Sequence, residues 1–93
     1  VSTYYLRVEG DSMTDAGIVQ GDIVVVDKSL DPKSGDIVVA AVDGDFTLKH
    51  LKRQGQEAWL VAANPAYRPI ALHDAVDAEL WGVVTYIIHK TRV

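Results

Sequence analysis

The chain has 93 residues, no cysteine, a hydrophobic content of 48% and a formal net charge of −4. This length and composition predict one small folded domain and argue against intrinsic disorder. The lack of cysteine excludes disulfides and a thiolate nucleophile, and the negative charge argues against nucleic-acid binding by this domain itself. No apolar run approaches the roughly 20 residues that a membrane helix requires, and we expect no signal segment.

The first third of the chain predicts two strands on either side of a short turn. Apolar and polar residues alternate in "YYLRVE", which is typical of a half-buried strand. A single helical turn is expected from Met13 to Ala16, ended by Gly17. The β-branched run "IVVVD" then predicts a buried strand.

The rest of the chain predicts strands that are joined by tight hairpin turns. Asp43-Gly44 lies between "IVVAAV" and "DFTLKHL", and an Asp-Gly pair supplies the positive φ that a two-residue hairpin requires. Gln54-Gly55 separates "LKHLKR" from "EAWLVA" in the same way. The apolar run "LWGVVTYIIH" predicts a long last strand, with a bulge at Gly82.

The strand "DFTLKHL" has two faces whose environments differ. Phe46 and Leu48 lie on one face, and Thr47 and Lys49 lie on the other. Because Phe46 and Leu48 indicate the core side, alternation alone predicts that Lys49 is solvated, as most lysines are.

Signals for a metal or cofactor are nearly absent from the sequence. His50, His73 and His89 are isolated, without a second ligand at a suitable spacing. The aspartates are scattered through turns and do not follow the calcium-loop pattern. The glycines of "GIVQGD" have no following lysine or helix, so they do not form a phosphate-binding loop. We therefore expect no cofactor and no metal.

Ser12, in the stretch "GDSMTDAG", is either a turn or cap serine or a nucleophile. A serine hydroxyl attacks only when a neighbouring base takes its proton. Histidine is the usual base, but a lysine can serve when burial lowers its pKa. From the residues alone no single lysine can be chosen among the candidates, which are Lys28, Lys33, Lys49, Lys52 and Lys90.

Four blocks of the sequence, in order, resemble the catalytic core of the LexA/UmuD family of S24-type self-cleaving serine proteases. They are "GDSM" with "GIVQGDIVVVD", then "SGDIVVAAVDGDFTLKHL", then "NPAYRPI", and finally "WGVVTYII". The resemblance runs from about Tyr4 to about Lys90. It implies an all-β, LexA/signal-peptidase-like compact domain with several short antiparallel strands and one short helical turn at the nucleophile.

The resemblance also implies the roles of individual residues. Ser12 stands at the nucleophile of the G-x-S-M motif, and Lys49 stands at the general base of the F/V-T-hydrophobic-K strand, 37 residues later. Thr47, Met13 and Asp11 are the expected supporting residues. Thr47 would hold the lysine amine, Met13 would pack beneath the turn, and the backbone N–H of Ser12 would contribute to an oxyanion hole.

The resemblance further predicts where the substrate bond lies. The family cuts its own chain at an Ala-Gly or Cys-Gly bond upstream of the core, and Ala16-Gly17, inside the nucleophile turn, is a poor substrate. We therefore expect residues 1–93 to be a single catalytic core domain whose upstream cleavage segment is missing. Such a fragment would cleave nothing in cis, whereas cleavage of another copy in trans stays open.

The resemblance favours an UmuD-type protein of the cytoplasm, on the basis of "STYYLRVEGDSM" and "LWGVVTYIIHK". Such a protein would cleave itself when stimulated by a RecA filament in the SOS response, and would then serve as an accessory subunit of an error-prone translesion polymerase. The stretch "LKHLKRQGQEAWL" favours instead a LexA-like or phage-type repressor. A third alternative is a non-catalytic dimeric binding module. A homodimer is expected in each case, and "VVTYII" is equally a candidate dimer contact and a candidate central strand.

Overall fold

Antiparallel strands make up almost all of the regular structure in the computed structural model, which describes residues 2–73 and 77–91. The described residues contain a single 3-10 turn, Thr14–Ala16, directly after Ser12. The all-β prediction with one short helical turn is therefore confirmed. The strands are β1 (Thr3–Arg7), β2 (Ile23–Asp27), β3 (Ile37–Val42), β4 (Asp45–Gln54), β5 (Glu57–Val61), β6 (Ile70–Leu72) and β7 (Ala78–Ile88).

The strands form one sheet in the order β1-β2-β7-β3-β4-β5-β6. The last strand, β7, thus pairs with β2 and β3 in the interior of the sheet, so "VVTYII" is part of a central strand. The β3–β7 register shifts between Val39, opposite Gly82, and Ala40, opposite Leu80. The predicted bulge at Gly82 is therefore present. A Cβ at this glycine would lie 2.6 Å from a methyl carbon of Val26, so β7 can pass this close to β2 only without a side chain.

The two predicted hairpins are also present. Asp43 and Gly44 have φ of 49° and 89° and connect β3 to β4. Positive φ at both central residues is the backbone that a tight two-residue hairpin requires. The second hairpin joins β4 to β5 immediately after Gln54, with Gly55 at a φ of 61°. These hairpins place β4, the strand that contains Lys49, between β3 and β5.

The core consists of two clusters of buried side chains. Because Val38 and Val39 are adjacent in β3 and point to opposite faces, both faces of the sheet are covered there. The first cluster contains Val8, Met13, Ile18, Val24, Val26 and Val39. The second contains Val38, Ala40, Leu51, Leu60 and Val83. Met13 is 2% exposed, so the residue after Ser12 is anchored in the first cluster.

The predicted orientation of β4 is wrong. Lys49 is 5% exposed and Leu51 1%, whereas Phe46 is 64% exposed. The face that contains Thr47 and Lys49 is buried because chain segments distant in sequence pack over it. The aromatic residues Trp81 and Tyr86 predict a position in the core or in an interface. They are 37% and 70% exposed, so neither lies in the core, and an interface position stays a prediction. Within the described part of the chain, no helix is long and apolar enough to cross a membrane.

Candidate active site

Ser12 lies in a tight turn between β1 and the 3-10 turn. The carbonyl of Met13 accepts hydrogen bonds from the N–H groups of Ala16 and Ile18. Gly17 ends the turn in the left-handed conformation at a φ of 79°, which glycine adopts without steric cost. Ser12 itself is half-buried. The turn therefore holds the Ser12 hydroxyl at the protein surface while its neighbour Met13 is fixed in the core.

Lys49 extends from the middle of β4 towards this turn. Its Nζ lies 3.1 Å from Ser12 Oγ, 3.2 Å from the carbonyl oxygen of Leu48, and within hydrogen-bond distance of Thr47 Oγ1. The structure thus brings together Ser12, Lys49 and Thr47, three of the residues to which the resemblance assigned roles. Lys49 lies 37 positions after Ser12 in the sequence, and the β3–β4 hairpin and the sheet bring the two side chains together.

The surroundings of Lys49 favour its neutral form. Burial lowers the pKa of its amine below the ordinary value of 10.5, because removal from water disfavours the charged form. Among residues 2–73 and 77–91, the amine forms no ion pair with a carboxylate that would oppose this effect. Residues at hydrogen-bond distance from Nζ supply only neutral oxygens. A neutral lysine at this position can accept the proton of the Ser12 hydroxyl.

A cleft of about 120 Å³ opens beside Ser12. Its walls are mainly apolar and include Leu6, Val8 and Phe46. A second groove of about 390 Å³ shares Leu6, Val39 and Phe46 with it and extends to Lys28 and Trp81. The two together form an apolar channel that leads to the serine hydroxyl. The exposed ring of Phe46 packs edge-on against Trp81 at 5.6 Å along this channel.

The loop between β5 and β6 also contacts the nucleophile turn. The stretch "NPAY" forms a turn, since the N–H of Tyr67 donates to the carbonyl of Asn64 over 3.1 Å. The side-chain amide of Asn64 donates to the carbonyl oxygen of Asp11 over 2.8 Å, and the Tyr67 hydroxyl donates to the Asp11 carboxylate. From the sequence, no role in the site was expected for Asn64 or Tyr67.

The histidines take part in contacts away from the site. His89 Nδ1 lies 2.5 Å from the buried carboxylate of Asp22. The pKa of Asp22 is lowered, first by the hydrogen bond from the N–H of Val19 and further by His89. Through its contact with His89, the Asp22 carboxylate connects the end of β7 to the turn before β2. Among the described residues, no group of three His, Cys, Asp or Glu side chains could hold a metal ion.

Residues 1–85 match the family model described as Peptidase S24-like. Because the match covers most of the chain, the protein belongs to this family of serine peptidases, and the resemblance to the LexA/UmuD proteins is confirmed.

Individual proteins of the SamA, ImpA and LexA types are similar in sequence to this chain. Protein SamA of Salmonella typhimurium is 44% identical over 91 residues, which are 98% of this chain and 62% of SamA. LexA repressor 1 of Xanthomonas campestris pv. campestris is 44% identical over 87 residues, which are 94% of this chain and 43% of the repressor. Protein ImpA of Escherichia coli is 40% identical over 92 residues, which are 98% of this chain and 61% of ImpA. The chain thus spans less than two thirds of each of these relatives.

Proposed function

We propose that the chain is the catalytic core of a serine endopeptidase in which Ser12 is the nucleophile and Lys49 is the general base. The observation that carries this proposal is the 3.1 Å approach of Lys49 Nζ to Ser12 Oγ, with the lysine 5% exposed. A lysine buried only for packing would direct its amine to water or to a carboxylate. Here the amine instead faces a hydroxyl at the end of an apolar channel.

The contacts of the amine suit the chemistry of a base. A neutral amine has two N–H donors and one lone pair. It can donate to Thr47 Oγ1 and to the Leu48 carbonyl, which directs the lone pair towards Ser12. Oγ then attacks the substrate carbonyl carbon while its proton passes to Nζ. The backbone N–H of Ser12 is the proposed donor to the resulting oxyanion.

The second half of the reaction uses the same proton. The Lys49 ammonium gives it to the leaving amine nitrogen, and the peptide C–N bond breaks to leave an acyl ester on Ser12. Water then attacks the ester with Lys49 again acting as the base. The small volume of the cleft beside Ser12, about 120 Å³, favours a small apolar side chain before the cut bond. This agrees with the Ala-Gly bond that the family resemblance implies.

The wider function that we propose is that of a cytoplasmic UmuD-like protein of the SOS response. Self-cleavage stimulated by a RecA filament would yield an accessory subunit of a translesion DNA polymerase. The motifs at the two ends of the chain and the match to SamA over 98% of this chain support the proposal. The alternative of a LexA-like repressor is favoured by the match to a LexA repressor at 44% identity.

The endopeptidase proposal predicts cleavage of a peptide in trans. We expect the chain to cut a peptide with one Ala-Gly bond between apolar residues, at a rate that rises with pH because the lowered pKa of Lys49 governs the fraction of free base. Mass spectrometry identifies the bond that is cut. A peptide with Trp-Gly at the same place is the matched control, since an indole is too large for a cleft of about 120 Å³. Equal cleavage of both peptides, or a rate that falls with rising pH, would contradict the assignment.

We also propose that the outer face of β2 and β7 is a homodimer contact. Tyr86 lies opposite Val25 and Ile88 opposite Ile23. Tyr86 and Ile88 are 70% and 54% exposed, so they form an apolar patch on a face that the other described residues leave uncovered.

The dimer proposal predicts that Ile88→Asp yields a monomer, because a carboxylate in an apolar contact loses its hydration without gaining a partner. Sedimentation velocity measures the change in mass. The control Leu30→Asp alters another exposed apolar residue, in the turn after β2, and should stay dimeric. A dimer that survives Ile88→Asp would place the interface elsewhere.

A further inference from the structure

The segment 63–67, between β5 and β6, contacts the nucleophile turn on both sides of Ser12. On one side, Asn64 and Tyr67 both bond to Asp11. On the other side, the carbonyl of Ala63 accepts a hydrogen bond from the N–H of Asp15 over 2.7 Å, and the N–H of Ala63 faces the sulfur of Met13 at 3.4 Å. Residues 11, 13 and 15 are thus all held by one short loop that is distant in the sequence.

Tyr67 is the residue of this loop that contacts both the neighbour of Ser12 and the amine of Lys49. Its hydroxyl donates to the carboxylate of Asp11, next to Ser12. Its ring centroid lies 5.8 Å from Lys49 Nζ. We propose that Tyr67 is a positioning residue for the peptidase: its hydroxyl fixes the backbone that bears Ser12, and its ring shields the amine of Lys49 from water. This inference rests on the proposed function of Ser12 and Lys49.

The hydroxyl contact acts on the nucleophile through Asp11. Asp11 is exposed, so without partners its backbone would be free to move together with Ser12. The two bonds, one to its carbonyl and one to its carboxylate, restrain both the main chain and the side chain. The bond to the carboxylate also raises the pKa of Tyr67, since the acceptor is negatively charged and the phenol serves as the donor. With a pKa raised above its ordinary value, the phenol is a donor to Asp11 near neutral pH.

The ring contact acts on the base in two opposing ways. An aromatic face attracts a cation, which favours the ammonium form of Lys49. A ring placed over the amine also excludes water, which favours the neutral form. The separation of 5.8 Å lies near the outer limit of roughly 6 Å for a cation–π contact. Burial lowers the pKa of Lys49, so we infer that exclusion of water is the larger of the two effects.

Among the described residues, the groups at hydrogen-bond distance from the amine are uncharged. Within β4, Thr47 and the Leu48 carbonyl contact it, and the nucleophile turn contributes Ser12. The residue opposite in β3 is Val38. The carboxylate associated with this cluster is that of Asp11, which is bonded to the Tyr67 hydroxyl. Loss of the ring would therefore expose Lys49 chiefly to solvent.

The test measures how fast a fluorophosphonate probe labels Ser12 in this chain across a range of pH, followed by intact mass. In this reaction Oγ forms a bond to phosphorus, fluoride leaves, and the hydroxyl proton passes to Lys49. We expect Tyr67→Phe to slow labelling by about tenfold, the typical loss of one hydrogen bond to a charged group, without moving the midpoint of the pH profile. We expect Tyr67→Ala to slow labelling and to move the midpoint to higher pH.

Two further variants separate the charge of Asp11 from its hydrogen bond. Asp11→Asn keeps an acceptor for the Tyr67 hydroxyl and should retain most of the labelling rate, whereas Asp11→Ala should resemble Tyr67→Phe. Asp31→Asn removes an exposed carboxylate elsewhere and should change nothing. Thermal unfolding of every variant identifies any that fails to fold, and the pH midpoint of the folded fraction remains measurable because unfolded chains are not labelled.

The outcomes distinguish this inference from the proposed function. Absence of labelling at Ser12 in the unmodified chain, or labelling that Lys49→Ala leaves unchanged, would overturn the dyad itself. Labelling that depends on Ser12 and Lys49 but is unchanged in rate and pH midpoint by Tyr67→Ala would overturn the role of Tyr67 alone. A midpoint that moves to lower pH in Tyr67→Ala would show that the ring stabilises the ammonium form, contrary to the proposal.

Discussion

Replacement of either Ser12 or Lys49 by alanine is expected to lower the rate of peptide cleavage by at least about 10³-fold. Ser12→Ala removes the atom that attacks, and Lys49→Ala removes the group that takes its proton from 3.1 Å away. Because the two side chains act in a single step, the double variant should be no slower than the slower single variant. Cleavage of the Ala-Gly peptide, followed by mass spectrometry, measures all three rates.

The two lysine replacements at position 49 test the role of deprotonation separately. Lys49→Arg keeps a long cationic side chain but supplies no free base near neutral pH, so it should be as inactive as Lys49→Ala. The matched control is Lys52→Ala, which alters an exposed lysine of the same strand and should keep full activity. Substantial activity in Lys49→Arg would exclude a lysine base. Additive losses in the double variant would show that Ser12 and Lys49 act in separate steps.

The strands and hairpins were predictable because their signals are local. The alternation in β1 and the β-branched residues of β2 and β3 each span a few adjacent positions. Asp43-Gly44 combines both positive-φ residues of a hairpin within one dipeptide. The short strand β6 was not predicted, since its three residues, Ile70–Leu72, are too few to show a period.

The burial of Lys49 was not predictable from alternation. Periodicity shows that Thr47 and Lys49 share a face, but it does not show which face other parts of the chain will cover. That face is covered by Ser12, 37 residues earlier, and by the ring of Tyr67, in a loop beyond β5. The family resemblance assigned a role to Lys49, which the alternation pattern had placed in solvent.

The contact of Tyr67 with Asp11 was not predictable for a related reason. The two residues are 56 positions apart, and "NPAY" reads locally as an ordinary turn. The sheet order places β1 and β6 at opposite edges, so the contact between this turn and Asp11, which follows β1, requires the sheet to curve. Local signals thus predict elements, whereas the residues that surround the nucleophile depend on how the whole sheet is assembled.

The buried amine of Lys49 is expected to lower the stability of the fold, and by an amount that depends on pH. In the unfolded chain the lysine has its ordinary pKa of 10.5, whereas burial lowers the pKa in the folded chain. Between these two values the unfolded chain binds more protons than the folded one, so the free energy of unfolding rises with pH. Below the folded-state pKa the cost of burying the charge is fully present, and above 10.5 it is absent.

Lys49→Met should therefore be more stable than the unmodified chain near neutral pH, and its advantage should shrink as pH rises towards 10.5. Methionine has a similar length and no charge to desolvate. The difference in the free energy of unfolding should change by at most about 1.4 kcal/mol per pH unit within that window. Urea unfolding of both proteins at a series of pH values measures this difference in the free energy of unfolding.

The control for this experiment is Lys52→Met, at an exposed position of the same strand, whose effect on stability should not vary with pH in this way. Groups that titrate equally in both proteins cancel in the difference between their free energies of unfolding. The change of this difference with pH therefore reports the titration of Lys49 alone. The stability advantage of Lys49→Met over the unmodified chain could instead be independent of pH or grow as pH rises. Either result would mean that the folded chain keeps Lys49 protonated up to its ordinary pKa. The lysine could not then act as a base near neutral pH. The stability that Lys49→Met gains and the cleavage that it loses are thus expected to have one physical origin, the desolvation of a single amine.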